Sequence, residues 1–172
     1  MRNRQKKRIG HLGNKGVSLI ELIIVIAIIA LTSTVTFQLI GQVSSKRIYK
    51  AAKTIDITLD KLRVETMSKG VTYSLCLYLI EGDLYMTIQP EGDTLTLTKE
   101  NGDILVEDCQ VSYQKEGVAE EILEEGVGNY IAISYSKSSG AFHSSYERIT
   151  FRNGNYNSIL RFVKETGKHW IE

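Results

Sequence analysis

Proline is nearly missing from this 172-residue chain: Pro90 is the only one. Cysteine is almost as scarce, with Cys76 and Cys109 alone, and histidine is limited to His11, His143 and His169. Two cysteines exclude a disulfide-dense miniature scaffold. They leave open one bridge closing a 34-residue stretch or two free thiols, because sequence alone does not place the two Cα atoms. The histidines stand apart from each other and from the cysteines, so neither a zinc-ligand spacing nor an H-E-x-x-H helix occurs. G-x-S-x-G and the P-loop are also missing. The expectation is a protein that is not an enzyme and holds neither cofactor nor metal.

Acidic residues are absent from residues 1–16, which carry six Lys/Arg (Arg2, Arg4, Lys6, Lys7, Arg8, Lys15). The formal charge of +1 for the whole chain therefore hides a −5 over residues 17–172, from 15 Lys/Arg against 20 Asp/Glu. A basic flank before an apolar run marks the cytoplasmic side of a membrane segment. Val17 to Ile40 is such a run, 24 residues or about 36 Å as a helix, enough to cross a bilayer core. A cleaved secretory signal would need small residues in an A-x-A-like pattern after the run, and Ala30-Leu31-Thr32 matches that poorly. An uncleaved signal anchor fits the length but leaves Glu21 unexplained. A carboxylate inside a membrane helix costs about 2.5–3.5 kcal/mol on insertion scales and marks a functional position with a partner.

No strong helix breaker lies between Ser18 and Lys69, where Gly41 is the only glycine. After Ile40 the pattern becomes amphipathic: Ile48, Ala52, Ile55, Leu59 and Leu62 recur at spacings of four and three. The expectation is one helix of about 50 residues ending at Gly70, its second half packing one face on a domain. Beyond Gly70 the period falls to two. Val71–Leu79, Leu84–Ile88, Leu95–Leu97 and Ile104–Tyr113 read as a four-stranded antiparallel meander, with turns at Gly82-Asp83, Pro90–Asp93 and Asn101-Gly102. Asn101-Gly102 is the strongest hairpin signal in the chain. The acidic segment Lys115–Gly128 reads as a solvated loop without calcium-loop spacing. Tyr130–Tyr135, Glu147–Arg152, Asn157–Val163 and Lys168–Ile171 are strands of a second sheet, with turns at Asn153-Gly154 and Thr166-Gly167.

The leader junction combines a basic segment, Gly16, an apolar stretch and a glutamate at the fifth position after that glycine. Gly-Val-Ser-Leu-Ile-Glu-Leu-Ile-Ile-Val-Ile-Ala-Ile-Ile-Ala resembles the class III signal of type IV prepilins and type II secretion pseudopilins. The resemblance covers residues 16–40. It implies a pilin-like α+β fold, with a long N-terminal transmembrane and amphipathic helix on an antiparallel β-rich globular domain of two sheets. It also implies four segments: a cleaved leader at 1–16, a transmembrane and assembly half-helix at 17–40, an amphipathic half-helix at 41–69 and a globular domain at 70–172. A prepilin peptidase and methyltransferase would cut between Gly16 and Val17 and methylate Val17. The remaining implied partners are other pilin or pseudopilin subunits, an inner-membrane platform protein and an assembly ATPase. The C-terminal domain would lie outside the cytoplasm, and the assembled chain in an envelope or surface filament.

Cleavage after Gly16 would create an α-amine at the membrane boundary. The amine of one subunit can then sit beside Glu21 of its neighbour. Opposite charges at 4 Å attract by about 4 kcal/mol at an effective dielectric of 20, less desolvation, and their pairing sets the register between helices.

Two departures separate the chain from major pilins, which commonly have phenylalanine where Val17 stands and proline where Gln38 stands. The C-terminal third, ending in Thr166-Gly167-Lys168, is similar to the GspH/FimT class of minor pseudopilins. The expected function is thus a minor subunit that initiates or caps a type IV pilus or type II secretion pseudopilus. A major pilin is one alternative. Another is a DNA-binding competence pilin of the same fold, using Arg148, Arg152, Arg161, Lys164 and Lys168 against phosphates. The −5 of residues 17–172 weighs against that use.

Overall fold

The computed structural model describes residues 18–69, 71–91, 96–126 and 128–172, with the backbone alone over 33–42. The chain divides into two units, Met1–Ile40 and Gly41–Glu172. Among the described residues there is one helix, α1 (Leu19–Ser68), which contributes to both. Gly70, the expected stop, lies outside the described residues, as do the leader 1–16 and Val17.

The second unit is α+β. Its strands are β1 (Tyr73–Ile80), β2 (Asp83–Pro90), β3 (Asp103–Val106), β4 (Gln110–Lys115), β5 (Glu121–Ile122), β6 (Ile131–Ser134), β7 (Tyr146–Asn153), β8 (Tyr156–Val163) and β9 (Lys168–Ile171). They form two antiparallel sheets, one ordered β3-β2-β1-β6 and the other β5-β4-β7-β8-β9. One apolar cluster joins both sheets to α1. The first sheet supplies Leu75, Leu77, Leu84, Ile131 and Ile133, and the second supplies Val111, Ile149, Phe151 and Leu160. From α1 come Ile48, Ala52, Ile55, Leu59 and Leu62, all at most 1% exposed, which is the face anticipated from their spacing. Lys46, Lys50, Lys53 and Asp60 lie exposed around the rest of the helix.

The expected meander is corrected in three places. Ile104–Tyr113 is not one strand. It breaks at Asp108, whose φ of 50° turns the chain from the first sheet into the second. The break is pinned: Asp108 N–H donates to Asp83 Oδ1 at 3.1 Å, Cys109 N–H to the Gly82 carbonyl at 2.8 Å, and the Asn153 amide to the carbonyls of Glu107 and Asp108. Consequently β6, expected in the second sheet, pairs with β1 and completes the first. Thr96 and Leu97 lie outside any strand, and Leu95 is outside the described residues.

Asn101-Gly102 does not form a two-residue hairpin turn, and neither residue has a positive φ. Gly102 is required for another reason. A Cβ there would overlap the Tyr78 hydroxyl, which donates to the Thr98 carbonyl at 2.9 Å. The tight hairpin is instead Glu81-Gly82, one residue before the anticipated turn, with φ values of 54° and 81°. Both central positions are left-handed, as a type I′ turn demands.

The anticipated Thr166-Gly167 turn is present, and its surroundings explain it. Gly167 has φ 64°, and a Cβ on it would overlap the Gly140 carbonyl oxygen. Arg63 on α1 donates to the carbonyl of Thr166 at 2.8 Å. His169, its side chain 3% exposed, meets the Asp56 carbonyl through Nε2 at 3.1 Å and the Tyr135 hydroxyl through Nδ1 at 3.4 Å. The end of the chain is thereby tied to the helix by polar contacts as well as by packing.

Cys76 and Cys109 are free and buried. Cys109 belongs to the central apolar cluster, whereas Cys76 alternates with Leu75 and Leu77 and so occupies the opposite face of the first sheet. Of the two arrangements that the sequence leaves open, the structure has the free thiols. Burial pushes each thiol up to about 11.

Two outcomes are expected. Gly154, with φ 57° and open space around it, tolerates alanine at a cost of about 1 kcal/mol, while Gly167→Ala adds a backbone collision and costs about 3 kcal/mol or more in denaturant unfolding. Iodoacetamide at pH 8 should leave the native protein unlabelled and should add two adducts after unfolding without reductant. A single disulfide-linked mass in that experiment would contradict the free thiols.

Candidate functional site

The chemistry-bearing segment starts where the described residues start. Ser18 precedes α1, and Glu21 is the third residue of the helix. Ser18 N–H donates to Glu21 Oε2 at 2.9 Å and Ser18 Oγ–H donates to the same oxygen at 2.9 Å. In return Glu21 N–H donates to Ser18 Oγ at 3.2 Å. This is a reciprocal capping box. It satisfies two N–H groups that have no partner inside the helix, and it sets a negative charge at the positive end of the helix dipole. The signal for it is present in the sequence as Ser18-x-x-Glu21 ahead of an apolar run.

Past the cap, every large apolar side chain from Leu19 to Leu31 is more than half exposed. Thr32 hides its hydroxyl by donating to the carbonyls of Ile28 and Ile29 at 3.0 and 3.1 Å. A polar side chain that folds back in this way can reside in an apolar surrounding. Among the described residues no helix is long and apolar enough to cross a membrane. The anticipated span includes Val17 and the side chains of residues 33–40, which lie outside the described residues, as does the anticipated cut between Gly16 and Val17.

The five cations considered for phosphate contact are placed by the second sheet. Arg148, Arg152, Arg161 and Lys168 alternate with core residues and so share its outer face, where Arg148 and Arg161 are direct cross-strand partners. Arg148 pairs with Glu120 at 3.0 Å and Arg161 with Glu172 at 2.5 Å. Lys164 donates to Ser145 Oγ at 2.8 Å in the β8–β9 connection. Arg152 and Lys168 are exposed.

The acidic stretch is more ordered than a solvated loop. It forms β5, and Leu123 enters the core. Ser112 and Arg148 hydrogen-bond Glu120 and hold it below the usual carboxylate range. Glu125 accepts the Gly82 N–H.

Residues 12–37 match the family model of the prokaryotic N-terminal methylation motif. No curated protein and no solved structure matches the chain. The motif supports a type IV pilin-like prepilin, processed by a prepilin peptidase and assembled with other pilins in a membrane-associated system.

The capping box makes a direct prediction. Ser18→Ala removes one side of it and should weaken the first helical turn by about 1 kcal/mol. Hydrogen exchange at the Glu21 amide of the micelle-bound chain should then accelerate about fivefold, while amides beyond Val25 stay unchanged. An unaltered rate at Glu21 would show that the cap does not form.

Proposed function

We propose that the chain is a minor pilin or pseudopilin, a structural rather than catalytic subunit that initiates or caps a type IV pilus or a type II secretion pseudopilus. The observation that carries this is Glu21, a carboxylate at a fixed distance from Gly16 and surrounded by exposed apolar side chains. Val17–Ile40 anchors the subunit in the cytoplasmic membrane, and the domain beginning at residue 70 lies outside the cytoplasm. Removal of the six-charge leader frees the α-amine of Val17. Glu21 of one subunit then exchanges its own cap for the amine of the next, which fixes the stagger between neighbouring helices.

A second observation supports helix-to-helix assembly. The side of α1 away from the core leaves Val43, Ile57 and Val64 about half exposed or more. Their separations of 14 and 7 residues keep them on one stripe of a helix. Such a stripe along an otherwise charged surface suits burial against other helices.

The minor role rests on Val17 and Gln38 standing where major pilins commonly have phenylalanine and proline, and on the Thr166-Gly167-Lys168 ending.

Mass spectrometry of the mature N-terminus tests the proposal. In cells that contain a prepilin peptidase, a methylated Val17 is expected, and an intact Met1 leader would end the proposal. Gly16→Asp should block processing. Glu21→Ala should be processed normally yet drop out of sheared filaments by tenfold or more. Normal incorporation of that variant would remove the charge-pairing mechanism.

A further inference from the structure

The globular unit carries an exposed aromatic knob on one sheet and, on the other, a cleft of complementary charge. Trp170 is the only tryptophan of the chain, yet it is 46% exposed. It lies on the outer face of the second sheet, beside its cross-strand partner Arg161. Lys168 shares that face two residues earlier on β9. Arg161 is neutralised by Glu172, whereas Lys168 forms no ion pair among the described residues. A lone exposed apolar residue needs no explanation. A tryptophan with an arginine and a spare cation beside it has the composition of an interface anchor, which buries about 150–250 Å² once it finds a pocket.

Such a pocket is present on the same chain. A cleft of about 570 Å³ lies at the β1–β2 end of the first sheet, walled by Leu79, Ile80, Leu97 and Tyr130. That volume is in the range of ligand-sized cavities and ample for one indole. Glu81 and Glu125 complete the lining. Lys99 neutralises Glu81 at 2.5 Å, but Glu125 has no cation partner among the described residues, and its carboxylate accepts the Gly82 N–H. Glu124, also without an ion pair, lines an adjoining cavity that shares Tyr130. The unit thus presents an apolar knob with spare positive charge and an apolar cleft with spare negative charge.

Knob and cleft belong to different sheets, so one copy can give its Trp170 to a neighbour while it receives that of another. We propose that the globular units of two copies of this chain associate head to tail, with Trp170 of one entering the Leu79–Tyr130 cleft of the next and Lys168 beside Glu125. A heterologous contact of this kind repeats from copy to copy instead of closing as a two-fold pair. One anchor buries far less than the about 1,600 Å² of a standard interface, so the contact is weak by itself. Copies anchored in one membrane are concentrated enough to form it, and to that extent the proposal rests on the reading above. There it would favour a like neighbour, while the helices still set the stagger. The contact itself does not need the leader to be cut.

The test reads the fluorescence of Trp170, which no other tryptophan obscures. For the full chain in maltoside micelles, lowering the detergent until copies share micelles should shift the emission to the blue and cut acrylamide quenching by about threefold or more. Lys168→Glu should abolish both changes, and Lys168→Glu with Glu125→Lys in one chain should restore them. Leu97→Arg, which fills the cleft, should show neither change alone. Adding an equal amount of Trp170→Ala, which supplies an intact cleft and no signal, should restore both, as only a head-to-tail contact allows. Emission of the native chain that stays constant, or failure of either rescue, overturns the proposal. A shift that persists in Leu97→Arg alone puts the indole in detergent and overturns it as well. Because the contact forms with or without the leader, its absence in a chain with methylated Val17 refutes this inference alone, whereas an intact Met1 leader refutes the reading beneath it.

Discussion

Burial of one face of α1 against both sheets is the contact on which the folded unit depends. Neither sheet has a covered inner face without the other and without Ile48, Ala52, Ile55, Leu59 and Leu62. Each large member of that stripe contributes about 1.5–3 kcal/mol of burial, against a net domain stability of about 5–15 kcal/mol. The polar contacts of Arg63 and His169 then fix which part of the last hairpin lies on which turn of the helix. The crowded Gly140–Gly167 approach follows, since only glycine lets the hairpin come that close.

The N-terminal segment answers to a different constraint, the cost of a carboxylate among apolar side chains. In the single chain Glu21 meets that cost locally, by capping its own helix through Ser18. Assembly would therefore exchange one set of partners for another. The net gain is the difference between an amine and a cap, smaller than the bare attraction of two charges.

Much of this was legible in the sequence. The helix and its buried face follow from spacing, because period 3.6 over residues 48–62 has no competing pattern. The strands β7, β8 and β9 follow from alternation bounded by glycine turns. What was not legible was sheet membership. Ile104–Tyr113 looks like one strand because both halves alternate, and nothing local announces that Asp108 takes a left-handed conformation. The strength of Asn-Gly as a hairpin signal misled for a related reason: Gly102 answers to the distant Tyr78 hydroxyl, not to its own turn. At the site, the spacing of Gly16 and Glu21 was plain, and the Ser18 cap could have been read beside it.

The strand orders described above leave four edges, and every one is short: β5 has two residues and β3, β6 and β9 have four each. A long bare edge templates pairing with another copy. In a filament of the kind proposed, neighbouring domains would be held side by side at high local concentration, where even weak edge pairing would compete with the intended packing. Among the described residues, edges this short remove that competitor. For a filament subunit of the kind proposed, register would then rest on the helix, and the domains would be free to differ from one subunit type to the next.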